Sequence, residues 1–331
     1  MPEVSIVLPV FNGSTTIARA VRSILDQTLR DIELIVVDDG STDETAALVR
    51  AFRDPRLKLI SCDHRSVSDA TNAGTKAATA PVIARMDADD FSQPERLEKQ
   101  LKLLHRHQLD VVGCKVRILS ETGEAAPGMQ RYQRWINEET LTGEQIVALR
   151  FVELPIVNPT ILAKRAYFKM GFRDGDLPED YDLMLRAADA GMRFGKVPEV
   201  LFDWTDRPNR LTRTDSRYTA DAFTKCRQQH LLAGPLQNIG RVDLWGVGKT
   251  GKPWLRWMQA QGITVRLAFD INQRKVGTQI HGVPVVDYAE MPAADGTPLV
   301  IAVGAAGARA LILSKICTRG YIPGKDAWFV A

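Results

Sequence analysis

The sequence predicts an α/β protein, with a mostly parallel N-terminal sheet followed by a smaller C-terminal Rossmann-like α/β domain. Over the first 115 residues, short β-branched runs alternate with amphipathic helical windows, which is typical of βα units in a parallel sheet. A stretch containing Gly and Pro precedes residue 240, and a new βαβ pattern starts after it. We therefore expect domains at residues 1–235 and 236–331.

Strands are predicted where apolar and β-branched residues run together between turn-forming residues. In the N-terminal domain these runs are residues 4–10, 33–38, 57–61, 82–87, 109–113 and 160–163. In the C-terminal domain they are residues 241–245, 264–270 and 299–304. Their spacing leaves room for a helix after most strands, as a parallel sheet requires.

Helices are predicted from periodicity and from end signals. One apolar face is formed by Ile17, Val21, Ile24 and Leu25. Capping-box patterns, Ser41 with Glu44 and Ser92 with Glu95, predict two further helix starts. The stretch "PEDYDLMLRAADAG" begins with Pro, has acidic residues in its first turn and ends at Gly191, which predicts a helix of about three turns.

Composition excludes several classes of protein. The chain has 331 residues, 25% of them charged, and a net charge of +3 with basic residues spread along its length, which does not indicate a nucleic-acid surface. The four cysteines form no CxxC pair, so neither a disulfide framework nor a zinc site is expected. No apolar run is long enough to span a bilayer. We expect a cytoplasmic protein, with peripheral membrane contact and homo-oligomer formation left open.

Acidic side chains follow three of the predicted strands. They are Asp38, Asp39, Asp87, Asp89 and Asp90. Because the carboxyl ends of parallel strands meet at one edge of a sheet, these carboxylates should converge there. Mg²⁺ and Mn²⁺ prefer such oxygen ligands and fill their remaining positions with water and phosphate. The sequence therefore predicts a divalent cation, Mn²⁺ or Mg²⁺, and a phosphorylated ligand at this edge.

A glycine-rich loop, "GVGKTG", lies in the C-terminal domain. It is not a P-loop, because that motif requires a glycine where Asp243 stands. Gly246, Gly248 and Gly251 do fit G-x-G-x-x-G between a strand and a helix, and Asp270 ends the next strand. This pattern is compatible with nucleotide binding, and a purely structural or oligomerising role stays open beside it.

Five ordered motifs, "SIVLPVFN", "VVDDGSTD", "NAGTKAA", "ARMDADD" and "PEDYDLMLRAADAG", resemble those of the family 2 glycosyltransferases. These are inverting enzymes with a nucleotide-sugar-binding GT-A-type fold, and the resemblance covers about residues 3–215. It implies a nucleoside-diphosphate sugar as donor, with a UDP-sugar favoured. The donor-nucleotide residues implied are Pro9, Phe11, Asn12, Asp38, Asp39, Arg85 and Asp87.

The resemblance also implies catalytic roles. Asp87 and Asp89 match the D-x-D motif that holds the metal, and Asp180 matches the catalytic base. Inverting transfer needs a carboxylate opposite the leaving group to take the proton of the acceptor hydroxyl, while a metal absorbs charge on the diphosphate. Acceptor-side or secondary candidates are Glu179, Trp204, Asp90, Asn72, Arg210 and Arg213.

Two departures from the family pattern concern the metal and the acceptor segment. Many relatives have a histidine where this chain has Asn158, and the stretch 204–218 lacks the histidine that can join the metal. That stretch instead carries Arg207, Arg210, Arg213 and Arg217, whose guanidinium groups suit diphosphate oxygens.

The function implied is a metal-dependent inverting glycosyltransferase of the hexosyltransferase type, acting on a glycan or lipid-linked acceptor in surface-polysaccharide assembly. Two alternatives remain. One is a non-catalytic protein that binds nucleotide sugars, although Asp87, Asp89 and Asp180 are all intact. The other is a sugar oxidoreductase that works through the C-terminal domain.

Overall fold

The computed structural model describes residues 1–120, 125–208, 210–305 and 307–331. These residues form two compact units, one made of residues 1–146 and 155–226 and the other of residues 147–154 and 227–331. None of the described helices is both long and apolar enough to cross a membrane.

The strands are β1 (Val4–Val10), β2 (Ile32–Asp38), β3 (Leu57–Ser61), β4 (Val82–Arg85), β5 (Phe91–Ser92), β6 (Val111–Ser120), β7 (Leu162–Lys164), β8 (Phe194–Asp206), β9 (Arg241–Trp245), β10 (Thr264–Asp270), β11 (Gln279–Ile280), β12 (Val283–Asp287), β13 (Leu299–Ile301) and β14 (Ala327–Phe329). The α-helices are α1 (Ile17–Leu25), α2 (Thr45–Arg50), α3 (Val67–Ala77), α4 (Arg96–Arg106), α5 (Pro127–Glu138), α6 (Gly143–Ala148), α7 (Arg165–Lys169), α8 (Glu179–Asp189), α9 (Leu211–Thr214), α10 (Ala220–Ala233), α11 (Gly251–Ala260) and α12 (Ala308–Thr318).

The sheet of the first unit has the strand order β3-β2-β1-β4-β7-β6-β8-β5. Its first four strands in this order are parallel, while β7 runs antiparallel to both of its neighbours. The strands β1, β2 and β4 therefore end at the same edge, where their following loops meet. Every residue of these three strands is buried, as expected for a sheet covered on both faces.

Helix α3 packs unusually close to the first sheet at Gly74. A Cβ atom at this position would lie 2.4 Å from Val7 Cγ1 and 2.9 Å from Val37 Cγ2. The missing side chain therefore lets the helix backbone approach β1 and β2, which brings the start of the helix close to the strand ends.

The end of β4 is fixed from two sides. The Arg85 amide donates to the Ile161 carbonyl at 2.8 Å. Arg96, a fully buried residue of α4, donates to the carbonyls of Arg85 at 3.3 Å and Pro159 at 2.8 Å. The backbone that leads into the acidic loop 86–90 is thus held by both its amide and its carbonyl.

The second unit contains a separate sheet with the order β11-β12-β10-β9-β13-β14. Its pairs are parallel except for β11 with β12. Strands β9 and β10 flank the glycine-rich loop, so the G-x-G-x-x-G motif joins a buried strand to α11 as the sequence predicts.

The predicted fold class is confirmed, and the bounds of β1, β3, β9 and β10 are as predicted. Both capping boxes are wrong. Helices α2 and α4 begin after Glu44 and Glu95, and neither has a side-chain cap. Ser41 Oγ instead accepts a hydrogen bond from the Asn12 amide at 2.9 Å, while Ser92 belongs to β5.

Candidate active site

The loops after β1 and β2 are joined by side-chain hydrogen bonds. Asn12 adopts a positive φ of 49°, and its Oδ1 accepts from the Thr42 amide at 2.9 Å. The Gly13 amide donates to Thr45 Oγ1 at 2.8 Å. Asn12, predicted to contact the donor, therefore also shapes the loop that carries Asp38 and Asp39.

Asp38 and Asp39 are buried at the end of β2. Asp38 Oδ1 accepts from the Ser41 amide at 3.2 Å, while Asp39 Oδ2 lies 3.0 Å from His64 Nδ1. The His64 ring stacks on Phe11 with 3.9 Å between ring centroids and an interplanar angle of 14°. An aromatic surface thus lies beside a buried carboxylate, which is an arrangement that suits a nucleobase. Pro9 lies buried within β1, one residue before the end of the strand, and its contact with the donor stays a prediction.

Arg85 and Asp87 form a close ion pair directly after β4. Arg85 Nη1 donates to Asp87 Oδ1 at 2.5 Å and to the Met86 carbonyl at 2.7 Å. The arginine is buried, whereas the Asp87 side chain is partly exposed. The charge of Arg85 also lowers the pKa of both Glu179 and Asp180, against the larger effect of burial. Arg85 therefore pairs with the predicted metal motif, and its charge opposes the rise that burial causes in the pKa of the predicted base.

Asp87, Asp89 and Asp90 each present a carboxylate oxygen within 4.8 Å of the others. Burial, followed by repulsion from neighbouring aspartates, raises the pKa of Asp89 and of Asp90. Asp90 Oδ1 accepts from the Thr205 amide at 2.7 Å, and its buried Oδ2 has no hydrogen-bond partner among the described residues. A buried carboxylate oxygen without a partner, beside two more accessible carboxylates, fits a divalent cation.

Glu179 and Asp180 open helix α8. Tyr218 Oη donates to Glu179 Oε2 at 2.6 Å, and the Tyr181 amide donates to Asp180 Oδ1 at 2.7 Å. Burial raises the pKa of Asp180, and the charge of Glu179 adds to this shift. Asp180 is partly exposed while Glu179 is buried, so Asp180 is the one able to meet a substrate hydroxyl.

The arginines of the segment after β8 contact several different partners. Arg207 Nε lies 3.9 Å from Asp89 Oδ2. The Arg210 guanidinium lies 4.1 Å from the centre of the Trp204 ring, a favourable cation–π distance. The remaining pairs are Arg213 with both oxygens of Asp206 and Arg217 with Asp215 and Asp174. Arg207 therefore lies beside the acidic loop, and the charges of Arg210 and Arg207 partly offset the burial that raises the pKa of Asp89.

Asn72 makes a structural contact with a distant segment of the chain. Its Nδ2 donates to the Phe172 carbonyl at 2.8 Å, and its Oδ1 accepts from the Phe172 amide at 2.9 Å. Sequence reasoning missed His64, Tyr218 and Arg19, the last of which donates to the Asp89 carbonyl at 3.2 Å. They lie outside the recognised motifs, and only the fold brings them to the site.

In the second unit, Asp270 is engaged by the protein itself. It accepts hydrogen bonds from the amides of Val247 at 3.2 Å and Asn272 at 2.9 Å. It also pairs with Lys275 Nζ at 2.8 Å. The nucleotide contacts predicted for Gly246, Gly248, Gly251 and Asp270 stay predictions.

Comparison with known proteins agrees with this geometry. Residues 5–172, about half of the chain, match the model of the family described as glycosyl transferase family 2. The chain belongs to glycosyl transferase family 2. The predicted resemblance is thereby confirmed, and the protein is a transferase. A second match covers residues 237–318 and is to the family described as CoA binding domain, which fits the Rossmann-like domain.

Among curated relatives, the O-antigen biosynthesis glycosyltransferase WbnJ of Escherichia coli is 27% identical over 69% of this chain and 87% of its own length. Two solved structures share the fold of the glycosyltransferase domain. The first is S. aureus TarS 1–349 with UDP-GlcNAc, at a TM-score of 0.57 and 20% identity over 72% of this chain and 68% of that chain. The second is the mannosyltransferase PcManGT of Pyrobaculum calidifontis with GDP-Man and Mn²⁺. Its TM-score is 0.50, with 22% sequence identity over 79% of this chain and 69% of that chain.

Proposed function

We propose that this family 2 enzyme is a metal-dependent inverting glycosyltransferase of the hexosyltransferase type. Its donor is a nucleoside-diphosphate sugar, with a UDP-sugar favoured, and its acceptor is a hydroxyl of a glycan or lipid-linked saccharide. We assign catalysis to residues 1–235. The observation that carries the proposal is the acidic cluster after β4, where Asp87, Asp89 and Asp90 each present a carboxylate oxygen within 4.8 Å of the others. The buried Arg85 bonds Asp87 at 2.5 Å and so holds one side of this cluster.

The donor nucleotide would lie along the ends of β1 and β2. Phe11 is exposed enough to stack on a base, and its ring stacks on His64, whose Nδ1 lies 3.0 Å from Asp39 Oδ2. Asp39 would accept a hydrogen bond from the same base. Asp38 orders the turn through the Ser41 amide. The complexes of TarS with UDP-GlcNAc and PcManGT with GDP-Man support a nucleotide-sugar donor in this fold.

Asp87 and Asp89 would hold Mn²⁺ or Mg²⁺, with the Asp90 carboxylate in the same cluster and its Oδ2 without a partner among the described residues. When bound, the cation would supply positive charge to the departing diphosphate. Arg207 and Arg210 lie close enough to the acidic loop to bind diphosphate oxygens once the donor enters. The Mn²⁺ in the PcManGT complex supports metal use, and the choice of ion is part of the proposal.

Asp180 would accept the proton of the acceptor hydroxyl as its oxygen forms a bond to the anomeric carbon. The bond from that carbon to the diphosphate oxygen breaks, and the nucleoside diphosphate leaves with the electron pair. A raised pKa makes Asp180 a stronger base than an exposed aspartate. Glu179, whose Oε2 accepts a hydrogen bond from Tyr218, lies directly beside it in the chain. The O-antigen role of WbnJ supports surface-polysaccharide assembly as the setting.

The decisive experiment is Asp180→Asn, with donor turnover and donor binding measured separately. We expect kcat to fall by about 10²- to 10⁴-fold, as for loss of a general base, while calorimetric binding of the nucleotide stays unchanged. Asp176→Asn is the matched control, because Asp176 is exposed in the preceding loop. Full activity of Asp180→Asn would refute the assignment of the base. A wild type that binds nucleotide sugars but turns over no donor with a broad acceptor pool would favour a non-catalytic binding protein.

A further inference from the structure

His64 contacts both of the residues that are proposed to bind the base of the donor. Its ring stacks on Phe11 with the ring centroids 3.9 Å apart and the planes 14° from parallel. Its Nδ1 lies 3.0 Å from Asp39 Oδ2 and 3.1 Å from the Asp39 carbonyl oxygen. One nitrogen of a flat ring therefore meets Asp39 while the face of the same ring covers Phe11.

A nucleobase would use the same two contacts. An imidazole and a base are both planar, both stack on an aromatic side chain and both present a ring nitrogen for a hydrogen bond. Asp39 is buried, and its Oδ1 accepts a hydrogen bond from the Arg65 amide at 3.3 Å. Oδ2, the oxygen that His64 meets, is therefore the one that a base on Phe11 would use.

We infer that His64 and the base of the donor compete for this position, so that the His64 ring must turn away from Phe11 before the donor binds. A contact that is made within the protein and given up on binding lowers the apparent affinity of the ligand. His64 therefore sets the affinity for the donor nucleotide by opposing it. The inference rests on the proposed function, because it requires a nucleotide at the ends of β1 and β2.

The exchange requires movement of the side chain alone. The backbone around His64 is held against the end of β2, where the Cys62 amide donates to the Asp38 carbonyl at 2.9 Å. Gly40 has a positive φ of 75°, and a Cβ atom there would lie only 2.9 Å from the His64 amide nitrogen. The His64 side chain is 55% exposed, so its ring has space on the solvent side to rotate while the backbone stays in place.

The binding test is calorimetry on the full chain with UDP, dTDP and GDP in buffer containing Mg²⁺. His64→Ala should bind the tightest of these at least fivefold more tightly than the wild type, because no ring has to be displaced. His64→Phe keeps a ring that stacks on Phe11 and should gain less than twofold. His105→Ala is the matched control, because His105 is exposed on α4, and it should leave the affinity unchanged. Only binding that is lost in Asp39→Ala is counted, which excludes any nucleotide held by the second unit.

Nuclear magnetic resonance of the full chain with ¹³C-labelled histidine follows the ring itself. The chain has five histidines, and the Cε1 proton signal of His64 is assigned by its loss in His64→Ala. The ring current of Phe11 should shift this signal upfield in the protein without nucleotide. On saturation with the nucleotide we expect it to move downfield, towards the signal of the exposed His105, while the signals of His105 and His107 stay in place.

Competition between His64 and the base is refuted if His64→Ala gains less than fivefold in affinity, or if His64→Phe gains as much as His64→Ala. It is also refuted if the His64 signal keeps its upfield shift in the nucleotide-bound protein. Failure of the proposed function would look different, because then none of the three nucleotides would show Asp39-dependent binding to the wild type or to His64→Ala. In that case the role of His64 would fall with the proposed function.

Discussion

Arg85 donates a 2.5 Å hydrogen bond to Asp87 while its own side chain stays almost fully buried. This ion pair reduces the electrostatic repulsion among the carboxylates of the acidic loop 86–90. Asp87, Asp89 and Asp90 have oxygens within 4.8 Å of one another, and the fixed cation relieves some of their repulsion without occupying the side open to solvent. Arg85 therefore stabilises the site before any metal or donor binds.

Replacing this arginine with lysine should impair transfer. Arg85→Lys keeps the charge but replaces the guanidinium, whose Nη1 donates to both Asp87 and the Met86 carbonyl, with an ammonium group on a side chain of different length. Loss of a charge-assisted hydrogen bond costs about 1.5–3 kcal/mol, so kcat/KM should fall by roughly 10- to 100-fold. Steady-state kinetics with Arg106→Lys, an exposed position on α4, provides the comparison. A variant within twofold of the wild type would show that the pair is dispensable.

Removing Asp89 should abolish metal-dependent donor binding. Its carboxylate is one of three that converge, and a cation held by few protein ligands loses much of its affinity when one is deleted. We expect Asp89→Ala to fold normally but to lose the thermal shift that Mn²⁺ adds to a nucleotide sugar. Asp63→Ala, an exposed change near the same edge, should keep that shift. If Asp89→Ala responds to Mn²⁺ like the wild type, the metal lies elsewhere.

Glu33 should make the first sheet sensitive to acid. Burial alone would raise its pKa, but hydrogen bonds from Lys58, Ser5 and Thr79 outweigh this effect and lower the pKa from 4.5 to about 2. A carboxylate with a depressed pKa in the folded state stabilises the fold above the pKa of the unfolded chain. That contribution, about 3 kcal/mol from the size of the shift, is lost as pH falls from about 4.5 to 2.

Hydrogen exchange of the β1 and β2 amides at pH 6 and pH 3 measures this directly, because it reports on one sheet rather than on the whole chain. The opening free energy of these strands should fall more with acid in the wild type than in Glu33→Gln, whose amide does not titrate. Equal acid sensitivity of the two proteins would assign the effect to other carboxyl groups.

Lys196 should be important for stability. It is buried on β8, and its Nζ donates to the carbonyls of Ile136 at 2.6 Å and Pro155 at 2.8 Å and to Thr140 Oγ1 at 2.7 Å. Lys196→Met removes the donor shared by three buried acceptors, at a cost of about 3 kcal/mol. Thermal melting of this variant should show a clear loss. Lys102→Met, at an exposed position, should change stability by less than about 0.5 kcal/mol.

The sequence predicts much of the first sheet because its strands are continuous apolar runs with turn signals at both ends. It misses β8, which pairs with β6 along its full length and carries register shifts near Lys115. This strand contains the exposed stretch 198–200, whose Pro and Glu interrupt the apolar pattern. Its pairing depends on contacts more than 80 residues away along the chain, and periodicity does not report on those.

The sequence likewise predicts the part of the candidate site that lies at the strand ends. Asp38, Asp39, Asp87, Asp89 and Asp90 were expected to converge because parallel strands end together, and the oxygens of the last three do lie together in the structure. Partners drawn from distant segments were not predictable. The Tyr218 hydroxyl meets Glu179 across 39 positions, for example. The failed capping boxes have a similar cause, since Ser41 bonds Asn12 across 29 positions instead of capping its own helix.

The buried Oδ2 of Asp90, which has no hydrogen-bond partner within the part of the chain that the structure describes, carries a cost in stability. A chain selected for stability alone would place an amide or an apolar group there, since a buried oxygen without a partner costs about 1–3 kcal/mol. Substitutions at this position should therefore change melting temperature and turnover in opposite directions. Replacements that pair or remove the oxygen would raise the melting temperature and lower the turnover.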